Sequence, residues 1–105
     1  MVDRETIDRA AGMLRQAAPG ATVILFGSHA RGEPGPDSDV DFLVVEPQVR
    51  AMRAEMVRLR DVLRPLRIPV DVLVIDAESY RKWSGTPGTI AYEAATEGQV
   101  FDAVA

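Results

Sequence analysis

The residues equipped for chemistry gather between Leu25 and Val45. Gly27-Ser28 follows an apolar run. After ten intervening residues, Asp39-Val40-Asp41 opens a second one. Alternation along a strand would put Asp39 and Asp41 on one side, one repeat apart. Carboxylates that close repel each other unless a cation lies between them or one keeps its proton. Hard oxygen donors in this arrangement suit Mg²⁺ or Mn²⁺. Gly27-Ser28 stands where a strand gives way to a short predicted helix, Ser28 to Arg31. The free N–H groups of a helix start form a phosphate cradle. A phosphate cradle beside paired carboxylates implies metal-dependent phosphoryl or nucleotidyl transfer.

The surrounding sequence supplies the elements that must hold these groups. Thr22 to Phe26 and Phe42 to Val45 are β-rich runs bounded by turn residues, and they read as strands. Leu43 and Val45 share a face with the two carboxylates, whereas Val40, Phe42 and Val44 take the other. An apolar strand on both faces lies centrally in its sheet. Upstream, Asp3 or Thr6 can cap a helix to about Ala18, which Pro19-Gly20 stops. Downstream, Val49 to Leu66 reads as the longest helix, with Met52, Met56, Leu59, Leu63 and Leu66 facing the sheet. Arg53, Arg60, Arg64 and Arg67 fall together on its wheel as a solvated face. A third strand spans Val70 to Ile75, and the Asp71 inside it needs a reason, because an unpaired carboxylate is costly among apolar neighbours. Asp76 caps a short helix through Trp83. Thr89 to Glu97 forms a further helix closed by Gly98, and Gln99 to Phe101 adds an edge strand. Tyr80, Trp83, Tyr92 and Phe101 are expected to cluster and finish the core.

Gly27-Ser28-x-Ala30-Arg31-Gly32, with Ser38-Asp39-x-Asp41 closing the loop, resembles the signature of the DNA polymerase β-like nucleotidyltransferases. In this fuller form it resembles their minimal branch, the small MNT proteins often paired with HEPN partners in toxin–antitoxin modules. The resemblance covers roughly Ile7 to Phe101. It implies that Asp71 is the third acidic residue of the site. Sharing one site with Asp39 and Asp41 then requires strands two and three to run parallel through a right-handed crossover, with strand one antiparallel. The expected fold is a small α/β (α+β) mixed sheet packed with helices, a single domain over residues 1–105. The resemblance further implies two Mg²⁺ ions, with Mn²⁺ as a substitute, on Asp39, Asp41 and Asp71. It implies ATP as substrate, Gly27 and Ser28 on the β and γ phosphates, and AMP or another NMP transferred to a hydroxyl, a Tyr of the HEPN ribonuclease toxin. Arg31 either reaches a phosphate or braces a loop carboxylate such as Asp39 or Glu33. His29 fills the variable position of the motif and reads as an exposed bystander.

Bulk properties narrow the field further. The chain has 105 residues, a net charge of −4 and no cysteine. Disulfides and thiolate metal sites are excluded, and a cytoplasmic location fits. No run approaches membrane-spanning length. An acidic chain matches a nucleic-acid backbone poorly, so no direct nucleic-acid binding is expected, and a nucleotide or a basic protein suits it better. Two other readings stand beside the leading one: a non-catalytic binding antitoxin, and the catalytic subunit of an enzyme modifying a small molecule such as an aminoglycoside.

Overall fold

A computed structural model describes residues 2–101. Four strands, β1 (Thr22–Phe26), β2 (Val40–Glu46), β3 (Val70–Asp76) and β4 (Gln99–Phe101), form one sheet in the order β3-β2-β1-β4. β2 pairs parallel with β3 and antiparallel with β1, and β1 pairs antiparallel with β4. The mixed sheet, its pairing directions and the edge strand are those expected from the sequence.

Helices cover both faces. The first, α1 (Arg4–Ala17), starts where the Asp3 carboxylate accepts from the Thr6 N–H at 2.9 Å. It buries Ile7, Ala10, Ala11 and Leu14. With α2 (Met52–Val62) it lies over Val40, Phe42, Val44, Val72 and Val74. The opposite face carries Leu43 and Val45 with Ile24 and Phe26, covered by α3 (Ala77–Trp83) and α4 (Ile90–Glu97) through Tyr80 and Ala94. Alternation along β2 therefore sorts its side chains between two layers, and β2 is central.

Three expectations need correction. The helix predicted over Val49 to Leu66 begins at Met52 and gives way, after Val62, to a 3-10 turn, Arg64–Leu66. Pro65 has no N–H to continue the α ladder, so the chain tightens instead. Met52, at the first turn, is 46% exposed and does not pack on the sheet. The aromatic cluster does not form either. Tyr80 joins the α3–α4 layer and Phe101 the α1–α2 layer, while Trp83 is 43% exposed. A sheet between them keeps these rings apart.

Candidate active site

The pairing register builds the site. Phe26 stands opposite Asp41, and Asp41 stands opposite Asp71. Gly27, one residue past β1, consequently lies against the Asp41 side chain. Its φ is +80°, and a Cβ there would collide with the Asp41 carboxylate. Only glycine meets both conditions without strain. Asp41 and Asp71, being register partners of a parallel pair, project from the same face. The sheet thus places the start of the Gly-Ser turn beside the paired carboxylates.

The Gly-Ser turn is held from several directions. The predicted short helix is a single turn: the Arg31 N–H donates to the Gly27 carbonyl at 3.1 Å, and the Glu33 N–H to Ser28 at 3.0 Å. Gln99 on β4 donates to the Ala30 carbonyl at 3.2 Å. Further along the loop, the Gly35 N–H donates to Ser38 Oγ at 2.7 Å. The Val40 N–H reaches the Pro69 carbonyl at 2.9 Å, which ties Asp39 to the start of β3.

His29 is not the exposed bystander expected from the sequence. It is 9% exposed, and its Nδ1 lies 3.1 Å from the Asp39 carbonyl oxygen. A carbonyl can only accept, so Nδ1 carries the hydrogen. Nε2 is buried with no partner among the described residues. The ring therefore connects the Gly-Ser turn to the backbone of Asp39. Nothing in a one-letter motif signals such a bond, because it closes across the loop. Arg31 pairs with neither Asp39 nor Glu33. Its Nη1 lies 3.3 Å from Glu97 and 3.6 Å from Glu93, both on α4.

Electrostatically the site is negative. Burial raises the Asp41 carboxyl above its ordinary range, and the charges of Asp71, Asp39 and Glu93 push it further. Glu93 was not expected near the site; it arrives on a helix distant in sequence, which no local motif announces. Among the described residues, no three carboxylate or imidazole groups converge as a ready-made metal cage. Asp39 lies just outside β2 and is exposed. Mutual repulsion keeps uncompensated carboxylates from closing up. The donor chemistry still fits a hard divalent cation: oxygen ligands, partly buried, with an excess of negative charge.

The profile of the nucleotidyltransferase domain family matches residues 7–89, most of the chain, and the protein belongs to that family. Its fold is shared with a Sulfolobus solfataricus protein assigned to the nucleotidyltransferases, with a TM-score of 0.63 and 20% identity over 92% of this chain and 77% of that one. It is also shared with a chain of a toxin–antitoxin structure with AMP-PNP, with a TM-score of 0.62 and 20% identity over 94% and 72%. A third likeness is to a chain from a Shewanella oneidensis complex of a tri-AMPylated HEPN toxin and an MNT antitoxin. There the TM-score is 0.58 at 19% identity over 92% and 69%. These likenesses establish the minimal nucleotidyltransferase fold. No curated protein sequence matches the chain significantly. Among the described residues, no helix is long and apolar enough to cross a membrane.

Proposed function

We propose that this nucleotidyltransferase is the antitoxin of a toxin–antitoxin pair and transfers AMP from ATP to a hydroxyl, a tyrosine's, on a HEPN ribonuclease toxin. The observation that carries the proposal is the register that puts Gly27 against Asp41 and Asp41 beside Asp71. A phosphate held at Gly27-Ser28 would lie next to the carboxylates. Two structures sharing the fold, one with AMP-PNP and one with a tri-AMPylated HEPN toxin, support the choice of nucleotide and partner.

In this reading Gly27 and Ser28 bind the β and γ phosphates through backbone N–H groups and the Ser28 hydroxyl. Asp39, Asp41 and Asp71 would hold Mg²⁺ or Mn²⁺. A divalent ion bound there neutralises phosphate charge and lowers the pKa of the acceptor hydroxyl. Asp71 accepts the proton as the hydroxyl oxygen attacks the α-phosphorus and pyrophosphate leaves. Arg31 stands at the rim of the Gly-Ser turn, where it can exchange a helix α4 carboxylate for a phosphate oxygen. Holding nucleotide and acceptor in line supplies most of the rate.

Intact-mass spectrometry tests this directly. A HEPN toxin encoded by a neighbouring gene, incubated with this protein and Mg²⁺-ATP, should gain one or more AMP units. Asp39→Asn/Asp41→Asn should abolish the gain while the complex still forms. A toxin that stays unmodified yet inhibited at equal stoichiometry would instead make the protein a binding antitoxin.

A further inference from the structure

The carboxylate site has two flanks, and the Gly-Ser turn occupies only one of them. On the other, where the chain leaves α2 and enters β3, lies a cleft of about 570 Å³ lined by Asp39, Asp61, Arg60, Arg64 and Arg67 over Leu63, Ile68 and Pro69. Its volume is within the ~300–1,000 Å³ typical of small-molecule sites. Arg60 also lines the adjoining cavity that contains Asp71, so the same residue borders the spaces next to both carboxylates. Arg64 is paired with Asp61 at 2.9 Å. Arg60 and Arg67 have no ion-pair partner among the described residues. Arg67 has φ +52°, and no other described non-glycine residue has a positive φ. Glycine or asparagine would hold that left-handed position at lower cost. With Arg64 neutralised by Asp61, Arg60 and Arg67 put two unpaired guanidinium groups in the same cleft as Asp39, in a protein of net charge −4.

We propose that this cleft is an acceptor-side phosphate site. It binds a nucleotide already joined to the acceptor, with the phosphodiester on Arg60 and Arg67 and the ribose hydroxyl presented towards Asp39 and Asp71. The proposal rests on the nucleotidyl transfer proposed above and names the acceptor class of its later rounds. Guanidinium groups match phosphate oxygens in geometry as well as charge, and the apolar floor covers the sugar and base. The incoming triphosphate and the acceptor phosphate then lie on opposite sides of the carboxylates. Each later round forms one bond between the ribose oxygen and the α-phosphorus of ATP. It breaks the bond to pyrophosphate and leaves the hydroxyl proton on a carboxylate. The product of one round carries the phosphodiester that the cleft recognises in the next.

Calorimetric titration with 5′-phosphorylated diadenylate tests the site without the toxin. The dinucleotide should bind the wild type and bind roughly tenfold or more weakly to Arg60→Gln/Arg67→Gln, with Mg²⁺-ATP failing to displace it. Both side chains are exposed, so the variant should keep its circular dichroism; Arg67→Gln alone is the second variant. Four results would overturn the proposal: no binding, equal binding by wild type and variant, displacement by Mg²⁺-ATP, or equally tight binding of an oligo-aspartate peptide. Arginine-dependent dinucleotide binding with no affinity for Mg²⁺-ATP would leave the cleft standing and defeat the proposed transfer reaction instead.

Discussion

At the scale of single residues, Gly27 and His29 carry the most weight. Gly27→Ala puts a Cβ against Asp41 at a left-handed backbone position. It should lower stability by about 1–2 kcal/mol and remove transfer activity. Ser28→Ala removes only a hydroxyl, so it should reduce transfer about 10- to 100-fold with little change in melting. Comparing the two by thermal melting and by AMP incorporation separates backbone geometry from phosphate binding. His29→Leu deprives the Asp39 carbonyl of its donor and should cost about 1–2 kcal/mol. His29→Asn can still offer an N–H at the Nδ1 position and should recover most of that loss. Equal melting of the two variants would show that the bond contributes nothing.

At the scale of elements, the far end of β2 holds a carboxyl pair that makes stability depend on pH. Burial raises Glu46 to about 7, with Glu55 facing it, whereas the Arg58 guanidinium, at 2.7 Å, lowers Glu55 to about 2. Glu46 Oε2 is buried without a hydrogen-bond partner, which a neutral carboxyl tolerates better than a carboxylate. Glu46 has a raised folded-state pKa, so its contribution is complete below about 4.5 and is lost as pH rises through about 7. Glu55 has the opposite sign, and its contribution fades only as pH falls from 4.5 towards about 2. Between pH 5 and 8, Glu46 alone acts. Glu46→Gln should melt with the wild type at pH 5 and about 4–8 °C above it at pH 8, for a cost on the order of 1 kcal/mol after solvent screening. An unchanged difference across that range would refute the pairing.

For the whole molecule, the governing fact is an excess of acid, −4 overall, concentrated partly at the site. Mg²⁺-ATP should raise the melting temperature of the wild type, because a ligand that binds only the folded state stabilises it. It should leave Asp39→Asn/Asp41→Asn unmoved in a thermal-shift titration; an equal rise would place the nucleotide elsewhere. A basic partner should associate through complementary potential, and raising ionic strength from about 50 to 200 mM should slow that association. Stopped-flow association rates read this effect.

Much of this was legible in the order of residues. Local rules sufficed for the strands, because alternation of apolar side chains and flanking Gly-Pro turns are local properties. Sorting Asp39, Asp41, Leu43 and Val45 onto one face of the chain needed only period two. Placing Asp71 opposite Asp41 took the added premise of a shared site, and the parallel register agrees with it. What the one-dimensional pattern could not supply were contacts between segments far apart in sequence. The bond from His29 to the Asp39 backbone closes across a loop, and Arg31 finds its carboxylates on α4. Arg60, Arg64 and Arg67 are exposed, as a solvated helix face would be, but that they share a cleft with Asp39 follows from where the 3-10 turn carries the chain. Such pairings depend on where packing brings two remote backbones together, and only the tertiary structure decides that.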